Sequence, residues 1–454
     1  MAAISVDSQN QQPLESFSAS LQHESWTRQQ LENYQARALH ACREYAYAHS
    51  PFYQRFHKGL MDRPLQELPV LTKAMMMDHF DELVTDRAVR LYDVQQYLAR
   101  ENSKVHFLDR YQVMATSGSA GQPGVFLSNA TERAITTNSY TRFQLWGGLT
   151  PNSKLAVVGS LAPGHASSQI TMMVNGQPIS MLQLSASHPV DKLVQMLNEW
   201  QPDTLMWYSS IAVILSNEQR EGRLHINPRS LFCGAETLTG DMRRRIEEAW
   251  QMKIFDAYAT TEGGVLAAEC TAHQGLHLFE DYSIIEVVDQ DNRPVPPGEQ
   301  GDKVLLTVLF RRTQPLIRYE VTDLVRASTG EHCLCGRPFA LIDSIQGRTA
   351  DILHLPSPSG KEEKIYPYLF LNVFDSLPVS GWQVIQELDG LHVFLTGASE
   401  ELRNEQVCNR LQKAFIDRGV LVPPIEIKRV EELAKNARGG KARMVISRVP
   451  RNTT

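Results

Sequence analysis

The sequence lacks the segments that would carry a protein into or across a membrane. Among its 454 residues, no apolar run approaches the roughly 20 residues that a membrane-spanning helix needs. Residues 1–30 are polar and have neither the basic start nor the apolar stretch of a secretory signal peptide. We therefore expect a protein without a membrane partner.

Cysteine and excess basic charge are also scarce. The chain has 6 cysteines, and in a long sequence without a secretory signal these are expected to stay reduced. Its formal net charge of −6 offers no basic field for a nucleic acid. A small group of arginines and lysines at 438–451 is either directed at a phosphate or merely solvated. The sequence therefore predicts a cytoplasmic protein with no disulfides and no nucleic-acid partner.

What the chain does contain is apolar material for a large core. Hydrophobic residues make up 42% of it, enough for more than one domain. In its middle part, short apolar runs alternate with helical patterns, which is typical of βαβ units. The predicted strands are 154–159, 204–207, 230–232 and 253–256; the predicted helices are 26–50, 128–146, 190–200 and 241–251; and 51–71 is predicted to be rich in loops.

Two later regions depart from this alternation. Residues 282–309 are rich in strand formers and turns, and residues 391–430 follow a strand, helix, strand pattern that indicates a small α+β unit. We therefore expect an α/β fold with an α+β C-terminal domain. The large domain would be 1–346, with 1–20 mobile, and the small domain would be 347–454.

A run of hydroxyl residues and glycines at 116–124 leaves little side chain between its backbone and a bound anion. Successive backbone N–H groups in such a run can form an anion-binding concavity, to which the hydroxyls add donors. The chain has no lysine between Lys104 and Lys154, so this is not a Walker A loop. A helical pattern follows, as at many phosphate sites. By itself, the run is equally consistent with a flexible loop.

Further motifs follow this loop in a recognisable order. They are Asp256–Glu262, Leu316–Asp323, Gly347–Asp351 and Gly439–Arg443. With the loop, they resemble the adenylate-forming (ANL) superfamily of acyl- and aryl-CoA ligases, adenylation domains and luciferases. The segments that resemble its phenylacetate:CoA ligase branch are Gly234–Glu236, Ala267–Cys270, Gly275–His277 and Pro315–Tyr319. The resemblance implies the ANL fold, with a large N-terminal domain and a small mobile C-terminal domain.

The resemblance also implies an activity. It predicts that ATP activates a carboxylic acid to an acyl-AMP, that pyrophosphate leaves, and that coenzyme A then accepts the acyl group as a thioester. Attack of a carboxylate on the α-phosphate brings two anions together, so the site has to neutralise charge and hold an in-line geometry. Mg²⁺ is the implied cofactor, since it prefers carboxylate and phosphate oxygens.

Roles for individual residues follow from the same resemblance. Glu262 would bind Mg²⁺, Thr261 would contact the α-phosphate, and Lys441 would be a mobile catalytic cation. Tyr258 would stack on adenine, and Asp323 would accept hydrogen bonds from the ribose hydroxyls. The predicted phosphate-loop residues are Thr116, Ser117, Gly118, Ser119 and Gly121. The other predicted ATP or AMP contacts are Gly234, Ala235, Glu236, Asp256, Ala259, Thr260 and Arg348. Considered alone, an aspartate such as Asp323 is typical of a turn, and a tyrosine such as Tyr258 is typical of a core. The nucleotide-binding interpretation therefore depends on the order of the motifs.

Four residues form a candidate structural zinc site. Cys270, His277, Cys333 and Cys335 correspond to a Cys₃His set in the phenylacetate:CoA ligase branch, and such a set satisfies tetrahedral Zn²⁺. His273 is the rival fourth ligand. The alternative interpretation is a group of reduced cysteines beside a buried histidine, because one intervening residue is a shorter spacing than most zinc sites use.

The acid substrate is the least determined element. The resemblance directs attention to Phe143, His165, Trp207 and Tyr208 as walls of the acid pocket, although each residue also suits a packing role. Their aromatic character favours an aryl acid over an alkyl acid.

Departures from the family pattern leave the acceptor open. Gln122 stands where the phosphate loop usually has lysine, and Ala350 stands where the branch usually has aspartate. Residues 354–373 replace the segment that shapes the thioester-forming state. A phosphopantetheinyl carrier protein, an amine or a hydroxyl group are therefore alternative acceptors, as in an adenylyltransferase. A nucleotide binder without catalysis is the remaining alternative, and a homodimer stays open.

Overall fold

The computed structural model describes residues 17–99, 106–116, 123–150, 152–161, 179–330, 332–374, 377–379, 381–434 and 443–449. The helices are α1 (Phe17–Gln22), α2 (Arg28–His49), α3 (Pro51–Phe56), α4 (Lys73–Asp78), α5 (Phe80–Leu83), α6 (Leu91–Ala99), α7 (Ala130–Trp146), α8 (Val190–Trp200), α9 (Ser209–Arg220), α10 (Gly240–Trp250), α11 (Pro367–Phe374) and α12 (Asn404–Asp417). Short 3₁₀ turns lie at His23–Ser25, Leu65–Glu67 and Thr349–Asp351.

The strands extend from the phosphate-loop region to the end of the described chain. They are β1 (Gln112–Ala115), β2 (Val125–Ser128), β3 (Lys154–Gly159), β4 (Ser180–Ser185), β5 (Thr204–Trp207), β6 (Ser230–Gly234), β7 (Ile254–Thr260), β8 (Gly264–Glu269), β9 (Leu276–Leu278), β10 (Ser283–Val288), β11 (Lys303–Val308), β12 (Tyr319–Val321), β13 (Asp323–Ala327), β14 (Leu341–Arg348), β15 (Leu353–Pro356), β16 (Glu362–Ile365), β17 (Gly381–Glu387), β18 (Gly390–Thr396), β19 (Ile425–Arg429) and β20 (Val445–Ser447).

A nine-stranded sheet forms the centre of the molecule, in the order β13-β14-β9-β8-β7-β6-β5-β3-β4. Strands β4, β3, β5, β6 and β7 pair in parallel, and β8, β9, β14 and β13 continue the sheet in antiparallel fashion. Helices α8, α9 and α10 connect the parallel strands. This arrangement confirms the predicted α/β class and the βαβ units.

Both faces of the parallel strands are covered. Leu205 and Leu231 pack against the helices on one face, whereas their neighbours Met206 and Phe232 pack with α7 residues such as Phe143 on the other. Strands buried on both faces have continuous apolar sequences, which is why these strands could be located from the sequence. Gly147, just after α7, is required by the packing, because a Cβ there would lie 2.2 Å from the ring of Phe232.

Two predictions about the N-terminal region were wrong. Residues 17–20 are part of α1, although we expected 1–20 to be mobile; residues 1–16 lie outside the described part of the chain. Within the predicted loop at 51–71, Pro51–Phe56 forms α3, because Ser50 accepts a hydrogen bond from Tyr53 N and proline occupies the first helical position.

The C-terminal elements have a core of their own. Strands β17 and β18 are antiparallel, and β20 and β19 add to them in parallel, giving the order β19-β18-β17-β20. Phe370, Trp382, Val393 and Phe415 are buried together in this unit. This matches the expected strand, helix, strand pattern at 391–430, while the boundary at Gly347 stays a prediction. Within the described residues, no helix is both long enough and apolar enough to span a bilayer.

Candidate active site

A cavity of about 470 Å³ lies where the carboxyl ends of the parallel strands face the C-terminal unit. Open α/β sheets bind ligands at this edge. The large region contributes Ala235, Glu236, Asp256, Tyr258, Ala259, Asp323 and Arg348 to the lining, among others. The C-terminal side contributes Asp351, Pro367, Trp382, Leu433 and Arg443, among others. Seven of the predicted nucleotide contacts therefore share one cavity.

Asp323 is held firmly in the cavity wall. Its Oδ2 accepts a hydrogen bond from the Tyr258 hydroxyl (2.8 Å), and its Oδ1 accepts one from Arg348 Nε (3.1 Å). Arg348 is also its direct pairing partner between β13 and β14. Burial and the Asp323 charge raise the pKa of Tyr258, so the phenol stays a donor. Each carboxylate oxygen retains capacity to accept a further hydrogen bond, such as one from a ribose hydroxyl.

Glu262 lies in the turn between β7 and β8. The turn is packed tightly on α7, since Gly264 has φ +77° and a Cβ there would come within 2.8 Å of Thr136 Cγ2. Glu262 is 8% exposed. Burial raises the pKa of its carboxyl group, and a divalent cation would offset that cost. The carboxylate therefore suits Mg²⁺, although Thr260, Thr261 and Glu262 do not line the cavity itself.

The predicted phosphate loop is the connection of a β-hairpin. Strands β1 and β2 are antiparallel, and Ala115 pairs with Val125. Thr116 N donates to Gly124 O, and Gly124 N donates to Thr116 Oγ1, both at 2.9 Å. Two hydrogen bonds between Thr116 and Gly124 therefore join the two ends of the predicted phosphate loop. Ser117, Gly118, Ser119 and Gly121 lie outside the described residues.

Lys441 also lies outside the described part of the chain. The residues that bracket its segment, Leu433 and Arg443, both line the cavity. Arg443 forms an ion pair with Asp351, which follows the Gly347-Arg348 motif. Described residues on both sides of 435–442 in the sequence therefore line the cavity, and the position of Lys441 stays a prediction.

The Gly234-Ala235-Glu236 motif forms a strained turn after β6. Ala235 has φ +67°, in the left-handed region that glycine adopts more readily. Glu236 accepts a hydrogen bond from Ser210 N (2.9 Å) in the first turn of α9, where a negative charge is favourable. Gly234 itself ends β6 and does not appear in the lining. The turn directs Ala235 and Glu236 into the cavity.

Asp256 belongs to a buried charged network beneath the cavity. Its backbone N–H donates to Glu269 Oε2 (3.2 Å), and Arg243 Nη2 donates to Glu269 Oε1 (2.6 Å). Burial and the Glu269 charge raise the pKa of Asp256 to about 7. His273 contacts Glu269 Oε2 through Nδ1 (3.1 Å). The histidine whose ligand atom lies within 4.8 Å of the three cysteine sulfurs is His277, so the structure favours His277 over His273 as the fourth ligand.

Cys270, His277, Cys333 and Cys335 do come together. Their ligand atoms all lie within 4.8 Å of one another. Cys270 Sγ is 3.6 Å from Cys333 Sγ, and Cys335 Sγ is 3.2 Å from His277 Nε2. Ligands about 2.3 Å from a tetrahedral zinc ion are roughly 3.8 Å apart. His277 Nδ1 donates to Phe339 O (3.2 Å), which leaves Nε2 for a metal, the arrangement typical of metal-binding histidines.

The predicted acid-pocket residues do not line the cavity. Phe143 is fully buried against Phe232, and Trp207 is 2% exposed and packs against Trp250. The Tyr208 hydroxyl accepts a hydrogen bond from Ser160 N (2.9 Å) and is also buried. All three residues therefore have packing roles in the described structure, and their part in an acid pocket stays a prediction. His165 lies outside the described residues.

The sequence analysis did not predict the roles of two buried arginines, Arg142 and Arg311. Arg311 is 2% exposed and donates to the carbonyls of Glu262 (2.6 Å) and Leu127 (2.8 Å). Arg142 is fully buried and pairs with Asp281 at 2.7 Å. The sequence carries no signal that separates a buried arginine from a solvated one, so only the folded arrangement identifies them.

Comparison with known proteins gives a consistent family. The family model described as AMP-binding enzyme matches residues 28–305. The phenylacetate-coenzyme A ligase of Thermus thermophilus is 26% identical over 387 residues, covering 81% of this chain and 80% of the relative. The phenylacetate-coenzyme A ligase of Escherichia coli is 25% identical over 406 residues, covering 84% of this chain and 86% of the relative.

Among solved structures, 2-hydroxyisobutyryl-CoA ligase has the same fold. In its postadenylation state, bound to an acyl-AMP, it matches with a TM-score of 0.74 at 22% identity, covering 98% of this chain and 95% of that chain. In its thioesterification state, with 2-HIB-AMP and CoA, the TM-score is 0.60 at 21% identity over the same shares of both chains.

Proposed function

The chain belongs to the family of AMP-binding enzymes, a member of the adenylate-forming superfamily that is similar to phenylacetate-CoA ligases, and on that premise we propose its reaction. The enzyme uses ATP to convert a carboxylic acid into an acyl-AMP and then transfers the acyl group to coenzyme A. The observation that carries the proposal is the Asp323 carboxylate, fixed between Tyr258 and Arg348 in the wall of a cavity large enough for a nucleotide.

The first step forms a bond between a carboxylate oxygen and the α-phosphorus, and it breaks the bond to the leaving pyrophosphate. Mg²⁺, when bound, would offset the charge of the phosphate oxygens. Glu262 would hold that ion, and Thr261 would donate a hydroxyl to the α-phosphate. Lys441 would approach from the C-terminal side as a point charge that stabilises the transition state. In the second step the thiolate of coenzyme A attacks the acyl carbonyl, and AMP leaves.

We propose an aryl acid as the substrate. The support is the similarity to phenylacetate-CoA ligases over more than four-fifths of the chain. The aromatic residues first considered for its recognition, Phe143 and Trp207, pack in the core, so they are not part of this argument.

The test of the reaction is carboxylate-dependent exchange of labelled pyrophosphate into ATP, with a panel of aryl and alkyl acids. We expect exchange with at least one aryl acid and formation of its thioester when coenzyme A is added. Exchange without thioester formation would favour the adenylyltransferase or a carrier-protein, amine or hydroxyl acceptor. Absence of exchange with every acid would favour a binder without catalysis.

We further propose that Cys270, His277, Cys333 and Cys335 hold a structural zinc ion. The support is the mutual approach of four ligand atoms, three of them on buried residues, and the Phe339 carbonyl that fixes His277. A zinc ion here would tie β8 and β9 to the loop before β14. Zinc binding would require deprotonated thiols. Because the four ligands come together only in the folded chain and do not line the cavity, the ion would contribute to folding rather than to acid activation.

Metal analysis tests the zinc site directly. We expect about one equivalent of zinc in the purified protein, lost in Cys335→Ser together with part of the thermal stability. Cys408→Ser is the matched control, since Cys408 is also half-buried and unpaired but lies on α12. Zinc-free wild type, or full retention of zinc in Cys335→Ser, would refute the site.

A further inference from the structure

The segment 311–314, which follows β11, forms hydrogen bonds with β2, with the first turn of α7 and with the β7–β8 turn. Resting on the proposed function, we propose that Arg311 in this segment is a positioning residue. It fixes the spacing between the hairpin that carries the phosphate loop and the turn that carries Glu262. Nothing in the motif pattern assigns it this role.

Arg311 spans the two elements with one side chain. Its Nε donates to the carbonyl of Glu262 (2.6 Å), its Nη2 to the carbonyl of Thr261 (3.4 Å), and its Nη1 to the carbonyl of Leu127 in β2 (2.8 Å). The guanidinium group thus holds the β7–β8 turn on one side and the hairpin on the other. It is 2% exposed, so these contacts are not weakened by water.

The remainder of the segment holds the same elements. Gln314 accepts from Leu127 N (2.9 Å) and donates to Val125 O (3.0 Å), so its side chain pairs with β2 as a strand would. Glu132, in the first turn of α7, accepts from the backbone N–H groups of Arg312 (2.6 Å) and Thr313 (2.7 Å). The hydrogen bonds of its neighbours to β2 and to Glu132 of α7 therefore fix the backbone position of Arg311.

The geometry needs arginine in particular. A guanidinium group presents five donors in fixed directions, whereas the ammonium group of lysine is a compact point donor on a flexible stem. Burial lowers the pKa of Arg311, and the charges of Glu132 and Glu262 oppose that shift. Arg311 thus fixes the backbone position of the turn that carries the Glu262 carboxylate.

The consequence concerns the metal. Mg²⁺ requires near-octahedral coordination by oxygens about 2.1 Å away. Glu262 would hold the ion together with ATP, so Mg²⁺ binding should depend on the spacing between the hairpin and the β7–β8 turn. A change in that spacing should weaken the metal-dependent part of ATP binding. It should leave the ribose contacts at Asp323 unchanged.

Arg311→Lys tests this, with Arg318→Lys as the matched control. Arg318 is buried to a similar extent (3% exposed) and donates to the main-chain carbonyls of Gln66 (2.8 Å) and Leu68 (2.6 Å), but its ion pair is with Glu286. The measurements are the Mg²⁺ concentration for half-maximal pyrophosphate exchange, calorimetric binding of ATP with and without Mg²⁺, and the melting temperature. For Arg311→Lys we expect about a tenfold rise in the Mg²⁺ requirement and a matching loss of Mg²⁺-dependent ATP affinity.

Arg318→Lys should lower the melting temperature by a similar amount and keep the Mg²⁺ requirement within about twofold of wild type. The inference is overturned if both variants lose activity only in proportion to stability, with Mg²⁺ requirements unchanged. That result differs from failure of the proposed function, in which wild type itself shows no Mg²⁺-dependent exchange.

If Arg311→Lys does not fold, Gln314→Leu carries the test. The substitution keeps the buried volume and removes both bonds to β2, so it loosens the same spacing less severely. We expect about a threefold rise in the Mg²⁺ requirement. A folded Gln314→Leu protein with an unchanged Mg²⁺ requirement would overturn the inference.

Discussion

The two sides of the cavity are held in different ways. On the large side, buried charged groups with several partners each stabilise the structure, although they do not line the cavity. Arg142 and Asp281 form an ion pair with both side chains fully buried, and Arg311 bonds three carbonyls. The C-terminal unit contacts that side through partly exposed groups, such as Lys364 and Tyr366 on Asp302.

This difference suggests separate tasks: the large side would position the nucleotide, and the C-terminal side would release its contacts and move. Breaking a buried pair leaves an unpaired charge and is costly, so the large side is expected to keep one geometry. Contacts between partly exposed groups are worth about 1 kcal/mol or less, so they can be exchanged during a catalytic cycle. The large side would hold the nucleotide, and the C-terminal side would move against it.

The largest expected effect is on the large side, in Arg142→Met. Asp281 would then be buried without its main partner, and we expect the free energy of unfolding to fall by about 3–5 kcal/mol. Denaturant unfolding measures it. The double variant Arg142→Met/Asp281→Leu removes both charges and should recover much of the loss. A double variant as unstable as the single one would contradict the explanation.

The same pair gives a pH dependence. Burial alone would raise the pKa of Asp281, but the Arg142 charge and the His23 hydrogen bond hold it below its usual value. The group therefore stabilises the wild-type fold above the usual aspartate pKa, and this contribution is lost as the pH falls. The stability difference between wild type and Arg142→Met should shrink on acidification.

On the C-terminal side, Lys441→Ala should affect chemistry rather than stability. We expect acyl-adenylate formation to fall by about 100-fold or more, or about 3 kcal/mol, with ATP affinity nearly intact. Pyrophosphate exchange and nucleotide titration on the same preparation measure both. Lys428→Ala, a surface lysine of the same unit that pairs with Glu426, is the control. Exchange that is unchanged in Lys441→Ala would refute the assignment.

Sequence reasoning succeeded where burial imposes a pattern. Strands such as Lys154–Gly159 and the helix Val190–Trp200 were located to the residue, since strands covered on both faces are apolar throughout and the helix has one apolar side. Strands β13 and β14 were missed because their pairing is long-range and interrupted by register shifts. Tertiary pairing of this kind leaves no local period.

The residues of the candidate site also fall into those that the sequence could indicate and those that it could not. The motifs indicated Tyr258, Asp323 and Arg348, and the structure brings these together around one carboxylate. Arg142 and Arg311 could not be found, because the burial of a charged residue depends on partners far away in the sequence. Phe143 and Trp207 pack in the core, and their part in the acid pocket stays a prediction, since an aromatic side chain suits a core as well as a pocket.

An intermediate effect is expected for Asp323→Ala. Loss of its two oxygens removes the predicted ribose contacts, which serve ATP and the transition state alike. We expect ATP to bind about tenfold more weakly, or about 1.4 kcal/mol, while the rate at saturating ATP changes less. Tyr258→Phe keeps the ring and the carboxylate, so it should bind ATP more tightly than Asp323→Ala. An unaltered ATP dissociation constant in Asp323→Ala would exclude the ribose role.

The smallest expected effect concerns the hydrogen bonds that hold the C-terminal unit on the large side. The Tyr366 hydroxyl donates to Asp302 Oδ1 (2.7 Å), and the Thr349 hydroxyl donates to the carbonyl of Asp302 (2.8 Å). These bonds join the 3₁₀ turn and the segment after β16 to the large side. Because the two sides that these bonds join enclose the cavity with Asp323 and Arg348, we propose that the bonds hold the adenylating orientation.

Tyr366→Phe removes one of these bonds and keeps the ring. Burial and the Asp302 charge raise the pKa of Tyr366, so the phenol is a donor at every working pH and its loss is the loss of one hydrogen bond. At about 1 kcal/mol, that should change the ratio of thioester formation to adenylation by about fivefold in favour of thioester formation. Single-turnover measurement of both half-reactions decides it. An unchanged ratio, or equal loss of both steps, would mean that this contact does not hold the adenylating orientation, and the division between a fixed side and a releasable side would have to be drawn elsewhere.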